Sequence, residues 1–234
     1  MDKNTNNVEI SALDILYAKY RKEMYHGAGL LQKDSNAKPT SFGSMILSDK
    51  AEGGSNQVFY TVFGTVKDIL NSLIYSVIFV LKKQLSDNTM VQKVILNKIA
   101  QNFIDSASDK LLLDKDSISE NTVTVCEPNN LFRYIKHNCT NDAIDSKSGI
   151  ILLSEKTNDS DSVTTIIQQP FGIVRNIVDS LILTIIDMLD KDFKHEDIDD
   201  CQGLIAMVLS CFVAFANDEF FGDDPSEKFE PDFQ

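Results

Sequence analysis

FGTVKDILNSLIYSVIFVL, residues 63–81, occurs again in the second half of the chain as FGIVRNIVDSLILTIIDML, residues 171–189. Nine of the nineteen positions are identical. In both stretches the apolar residues recur every three or four positions, which is the period of one face of an α-helix. A fully buried aliphatic side chain contributes roughly 1.5–3 kcal/mol, so we expect these two helices to form the core. Self-similarity at a fixed spacing predicts two copies of one structural unit.

The similarity extends to the residues that surround the two helices. GSMILSDK (43–50) matches GIILLSEK (149–156), and each is followed by a polar stretch and a second apolar run, which predicts two strands joined by a turn. Residues 8–22 resemble residues 123–137 more weakly, as a short strand followed by a helix. Each repeated helix is followed by a further segment with a helical pattern, at 89–106 and at 198–216.

We therefore predict an α+β fold produced by internal tandem duplication. Two modules related by an approximate twofold axis would each place a small antiparallel sheet beside a long helical hairpin. The first module covers residues 7–108, a linker covers 109–121, the second module covers 122–217, and an acidic tail covers 218–234. The alternative is a mostly α-helical bundle in which the short strands form peripheral hairpins.

The two halves of the chain differ in charge although they share a core pattern. Residues 1–117 hold fourteen Lys and Arg against thirteen Asp and Glu, whereas residues 118–234 hold eight against twenty-two, within a total net charge of −13. An acidic surface attracts and orients a basic partner, whereas contact with a phosphate backbone needs clustered Lys and Arg. The composition therefore favours a protein partner with a basic surface and disfavours nucleic acid. Neutral divergence of the surface is the alternative explanation.

The sequence contains no recognisable catalytic, cofactor or metal signature, and we expect a protein without enzymatic activity, cofactor or metal. Its cysteines form no C-x-x-C pair, and the spacing of Cys126, His137 and Cys139 matches no zinc signature. The acidic run 187–200 lacks the ligand spacing of an EF-hand. Its last acidic residues instead suit the start of the following helix, where the helix dipole favours negative charge.

Candidate partner-binding residues lie on the outer side of the first repeated helix and in the tail. The tail alternates phenylalanine with acidic residues, a composition that keeps a segment solvated while it supplies anchors for a groove on a partner. The alternative is that Phe220 and Phe221 pack back onto the core. The partner-binding candidates are Tyr75, Phe79, Phe220, Phe221, Phe229, Phe233, Asp223 and Asp224. A possible basic contact consists of Lys82, Lys83, Lys93 and Lys98.

Three hypotheses for function follow. The first is a non-enzymatic interaction module, such as an adaptor, an inhibitor or an assembly component, which uses the acidic surface and the tail. The second is a sensor that binds a small molecule in the groove between the modules. The third is a nucleic-acid-associated protein with a regulatory acidic tail.

Localisation and source are predicted only from segment lengths and residue usage. The first residues lack the apolar segment of a signal peptide. The apolar run 204–216 is shorter than the roughly 20 residues that span a bilayer, so we expect it to be a helix buried on several sides. We therefore expect a cytoplasmic protein without a membrane span. The usage of Asn, Asp, Ile and Lys is typical of an AT-rich genome, bacterial or viral.

Overall fold

The computed structural model describes residues 14–28, 41–50, 56–112, 121–139, 147–156, 163–192, 198–222 and 228–231. Within them the fold is α+β. The helices are α1 (14–28), α2 (Val66–Lys82), α3 (Thr89–Leu111), α4 (Pro128–Cys139), α5 (Val174–Asp192) and α6 (Ile198–Ala216), and α6 continues as a π-helical turn over Asn217–Phe221. The strands are β1 (Ser41–Lys50), β2 (Asn56–Phe63), β3 (Thr122–Val125), β4 (Lys147–Lys156) and β5 (Val163–Phe171).

The chain divides into two compact units. The first unit comprises Met1–Ser72 and Asn121–Ser180, and the second comprises Leu73–Glu120 and Leu181–Gln234. Each unit therefore takes one part of each predicted module, and the long helices α2 and α5 contribute residues to both. The helix α3 ends at Leu111 and so extends into the predicted linker.

The first unit contains one five-stranded sheet in the order β3-β2-β1-β4-β5. The strand β3 is parallel to β2, and all other neighbours are antiparallel. The prediction of a small antiparallel sheet for each module was wrong, because β1 and β4 pair with each other and join the strands into a single mixed sheet. The physical reason is that β1 and β4 are buried along nearly their whole length, so the main-chain groups at both edges of each strand need hydrogen-bond partners. The short strand predicted near residue 8 lies outside the described residues.

In the sheet, residues at equivalent positions of the sequence repeat lie opposite each other or make equivalent pairs. Met45 pairs with Ile151, which is its counterpart in the repeat, so the β1–β4 ladder is centred on a pair of equivalent residues. Likewise Gly43 pairs with Phe63, and Gly149 pairs with Phe171.

Each Phe-Gly step between a strand and the following helix depends on glycine. Gly64 has φ +120° and Gly172 has φ +83°, a region that residues with a Cβ rarely adopt. A Cβ on Gly64 would also collide with the side chain of Phe42. The two glycines therefore allow the chain to turn from β2 into α2 and from β5 into α5.

The helices α1 and α4 cover one face of the sheet. Tyr17 of α1 and Phe132 of α4 stack with ring centroids 3.6 Å apart and an interplanar angle of 6°. In the weak upstream alignment these two residues are equivalent. The buried cluster around them consists of Leu16, Tyr17, Tyr20, Met45, Leu47, Leu131, Phe132, Ile135, Ile151 and Leu153.

The long helices α2 and α5 match each other in burial. They are buried, half-buried and exposed at the same positions, from the pair Lys67/Arg175 to the pair Leu81/Leu189. The apolar face predicted from the sequence is buried in both helices after its first position: Leu73 and Leu181 are both 0% exposed, whereas Val66 is 37% exposed and Val174 is half-buried.

Candidate interaction surface

The core of the second unit contains a small apolar cavity. A cavity of about 20 Å³ lies among residues of α2, α3, α5 and α6, without a polar lining residue. Small-molecule sites usually measure about 300–1,000 Å³ and contain a few polar groups that orient the ligand. This cavity is therefore too small and too apolar to hold a metabolite. The residues that line it are Ile74, Val77, Ile99, Ala100, Phe103, Ile182, Ile185, Val208, Leu209 and Phe212.

The helix α6 buries one face and exposes the other. Its buried residues include Ile205, Val208 and Phe212, and no charged residue occurs from Cys201 to Asn217. The side turned to solvent is therefore uncharged as well. It carries Gly203, Ala206, Met207, Ser210 and Ala214, and Met207 is 49% exposed.

The expectation that α6 is buried on several sides was wrong. The helix that includes the π-helical turn, Asp199–Phe221, is long and apolar enough to cross a membrane by length and composition. Only 28% of its most apolar window is buried inside the protein. The apolar run 204–216 is too short to span a bilayer, whereas the helix that contains it is 23 residues long. The physical reason for its exposure is that the single side rich in large residues packs inward, while the opposite side consists mainly of small residues.

The π-helical turn Asn217–Phe221 orders part of the predicted tail. Its wider winding is closed by the Gly222 N–H, which donates to the Asn217 carbonyl at 3.0 Å. Such turns are rare and often occur at functional sites. Asn217 then uses its side chain on a residue further along the tail: its Nδ2 donates to the Phe229 carbonyl at 3.1 Å, and its Oδ1 accepts from the Phe229 N–H at 2.6 Å.

The ring of Phe229 is buried in an aromatic seat. It is 1% exposed and lies 6.4 Å from the Phe212 ring, edge to face, and 6.5 Å from the Phe221 ring. Phe221 is also buried, and Phe220 is half-buried beside it. In this arrangement Phe212 and Phe221 hold Phe229 against its own chain, and the rings of Phe221 and Phe229 are both buried.

A second contact ties the π-helical turn to α2. Glu219 accepts from the Tyr75 hydroxyl at 3.0 Å and from the Lys82 ammonium at 2.6 Å. The hydrogen bond from Lys82 lowers the pKa of Glu219, although partial burial opposes this effect. Partial burial raises the pKa of Tyr75, and Glu219 adds to that increase. The Tyr75 ring also contacts the Phe215 ring edge to face, at 5.7 Å.

The remaining candidate residues are dispersed. The Lys83 ammonium lies 4.2 Å from the centroid of the Phe79 ring, and the Lys93 ammonium lies 5.5 Å from that of Phe221. Lys98 is exposed. Lys82 is engaged by Glu219, so the four lysines do not form one uncommitted basic patch. Asp223, Asp224 and Phe233 lie outside the described residues.

Sequence reasoning did not identify Asn217, Phe212 or Met207 as parts of a surface. The only signal was the absence of charge along α6, which we interpreted as burial. Among the residues that the structure describes, no group of three or more His, Cys, Asp or Glu side chains could hold a metal ion. Comparison with known family models, curated proteins and solved structures found no match to this chain.

Proposed function

We propose that this chain is a non-enzymatic protein–protein interaction module that arose by internal duplication. Its partner binds the exposed side of α6, which we call the α6 face: Gly203, Ala206, Met207, Ser210 and Ala214. The duplication is supported by the sheet register centred on Met45 and Ile151, and by the matching burial of α2 and α5.

The observation that carries the proposal is an uncharged helix face left open to solvent. An apolar helix whose most apolar window is only 28% buried leaves apolar area in water, and larger exposed apolar patches mark interaction sites. Small side chains on such a face let a partner approach the helix backbone closely. Met207 supplies a flexible apolar contact at the middle of the face, and methionine is frequent in such surfaces.

Acidic residues at the two ends of α6 define the chemistry of the partner. Asp200 precedes the α6 face and Asp218 follows it, and both are exposed. At 1.5 Å per residue they stand roughly 27 Å apart. A partner with an apolar strip of that length and basic residues at both ends would match the α6 face in shape and charge. This agrees with the acidic balance of the second half of the chain.

A membrane surface is a weaker alternative occupant. Helices that lie on membranes carry Lys and Arg beside the apolar face, because lipid headgroups are often anionic. Here the neighbours are acidic, and insertion across a bilayer would remove Ile205, Val208 and Phe212 from the core of the second unit.

Crosslinking capture with the full chain tests the proposal. Met207→Glu places a charge in the centre of the α6 face and should reduce the yield of crosslinked partner at least about tenfold, equivalent to about 1.4 kcal/mol. Met90→Glu is the matched control, since Met90 is 73% exposed at the start of α3. Its yield should equal that of the unmodified chain. Added salt should weaken capture, because the contact includes charges.

Three results would contradict the proposal or redirect it. Unchanged capture by Met207→Glu removes the α6 face from the binding surface. Equal losses in both methionine variants indicate nonspecific adhesion of exposed apolar residues. Binding of the full chain to anionic vesicles, with loss of binding in Met207→Glu, would assign the α6 face to lipid instead.

A further inference from the structure

The Asn217 side chain bonds both main-chain polar groups of one residue. Its side-chain amide binds both the N–H and the carbonyl of Phe229, as a neighbouring strand would do for a residue in a sheet. Because these two hydrogen bonds involve only main-chain atoms of the bound residue, they do not depend on its side chain. Selectivity must therefore come from the seat that receives the side chain, and here that seat is formed by Phe212 and Phe221.

We propose that Asn217, Phe212 and Phe221 form a recognition site for an extended peptide that carries a phenylalanine, and that the chain's own Phe229 fills this site in cis. The proposal deepens the proposed function, because it adds a second binding site to an interaction module and defines its ligand. The three residues are hereafter the phenylalanine seat.

In the chain's own tail an acidic residue follows the phenylalanine that fills the seat, and a lysine lies near the seat. The Lys93 ammonium lies 5.5 Å from the Phe221 ring centroid, and Glu230, which follows Phe229, is exposed. A peptide with the order Phe-Glu-Pro reproduces the segment of the chain's own tail that fills the seat. The ligand is therefore an extended Phe-Glu segment, either from this tail or from another protein.

Occupation in cis determines when another peptide can bind. A segment attached by a short linker has an effective concentration of about millimolar. A free peptide with similar contacts competes poorly unless the tail is displaced or altered. The seat is thus closed to weak ligands in the intact chain.

Among the residues that the structure describes, α3 carries no equivalent of Asn217. When Thr89 of α3 is aligned with Ile198 of α6, Ser108 occupies the position of Asn217, and α3 ends within the next turn at Leu111. A serine hydroxyl cannot donate to a carbonyl and accept from an N–H at the span that the amide covers. The equivalent residue thereby provides a natural control substitution, Asn217→Ser.

Peptide titration tests the seat directly. The probe is a fluorescein-labelled peptide with the sequence of residues 226–233, SEKFEPDF, followed by fluorescence anisotropy. The full chain with Phe229→Ala should bind it at least about tenfold more tightly than the unmodified chain, because the cis ligand is gone. The same peptide with alanine in place of the phenylalanine that corresponds to Phe229 should not bind. Adding Asn217→Ser to Phe229→Ala should weaken binding about tenfold, the equivalent of one to two lost hydrogen bonds.

Equal binding of the two peptides by Phe229→Ala, or an unchanged affinity after Asn217→Ser, would overturn the inference. If Phe229→Ala does not fold, hydrogen exchange in the single variant Asn217→Ser decides: the Phe229 amide should exchange at least about tenfold faster than in the unmodified chain, and an unchanged rate overturns the inference. If Phe229→Ala does not bind the peptide but Met207→Glu still reduces partner capture, only the phenylalanine seat is refuted. If the peptide binds but Met207→Glu leaves capture unchanged, only the α6 face is refuted.

Discussion

Two ion pairs join the hairpin of α2 and α3 to the hairpin of α5 and α6, and they lie at positions that the sequence repeat relates. Lys82 of α2 binds Glu219 at 2.6 Å, and Lys110 of α3 lies 3.7 Å from Asp190 of α5. The repeat equates Lys82 with Asp190, and the alignment of α3 with α6 equates Lys110 with Glu219. Both cations therefore belong to the first hairpin and both anions to the second.

This arrangement gives the uneven charge of the chain a physical role. Pairing of the first hairpin with a copy of itself would place lysine opposite lysine at both sites, and pairing of the second with itself would place acid opposite acid. Pairing of the first with the second is attractive at both sites. The difference indicates that two acidic residues of the second half, Asp190 and Glu219, are directed at the first half of the same chain.

The largest expected effect tests whether the two hairpins have equivalent cores. Leu73→Ala and Leu181→Ala each remove a fully buried side chain at equivalent positions. Each should lower the free energy of unfolding by about 2–5 kcal/mol, and the two losses should agree within about 1 kcal/mol. Urea denaturation followed by circular dichroism measures both. Met90→Ala on the exposed surface should stay within about 0.5 kcal/mol. A cost below 1 kcal/mol for either leucine would break the comparison.

The next effect concerns the two Phe-Gly turns. Alanine at Gly64 or Gly172 must adopt a positive φ against nearby atoms of Phe42 or Lys147, so each variant should lose about 1–3 kcal/mol of stability. Gly203 in α6 is the matched control, since nothing lies within 4 Å of an added Cβ. Gly203→Ala should gain about 0.5–1 kcal/mol from helix propensity. Thermal unfolding of the three variants decides, and a loss in Gly203→Ala would contradict the helical environment.

The core helices and the central strands could be predicted from the sequence, whereas the pairing between halves and the phenylalanine seat could not. Periodicity reports which side of α2 or α5 is apolar, because it depends on neighbours a few residues apart. The pairing of Met45 with Ile151 depends on residues far apart in the chain, which no local pattern encodes. The open side of α6 was missed for a related reason: small uncharged residues look the same whether they face a core or a partner. Asn217 acts on Phe229 through a main-chain contact that residue types do not reveal.

A smaller effect tests the polarity of the ion pairs. Lys82→Glu and Glu219→Lys each create a like-charge contact, and each should lower the free energy of unfolding by about 0.2–1 kcal/mol, since the pair is partly exposed. The double variant restores opposite charges with the polarity of the Lys110–Asp190 pair, so it should recover most of the loss. A double-mutant cycle in urea measures the coupling, and 1 M salt should reduce it. Additive losses in the double variant would show that the two charges do not interact.

The smallest effect is the pH dependence that Glu219 contributes. Its pKa in the folded chain is lowered, chiefly by Lys82, relative to about 4.3 in an unfolded chain. Its stabilising contribution is therefore complete above the unfolded value and is lost as the pH falls through the lowered folded value. As the pH falls below the unfolded value, the unmodified chain should lose more stability than Glu219→Gln, by no more than the roughly 0.2–1 kcal/mol of a partly exposed ion pair. Lys82→Gln should lose most of this pH dependence, because it removes the cation that chiefly lowers the pKa of Glu219, while the hydrogen bond from Tyr75 remains. If the free energy of unfolding varies with pH in the same way in all three chains, Glu219 has the same pKa in the folded and unfolded states. Its contact with Lys82 then contributes no pH-dependent stability.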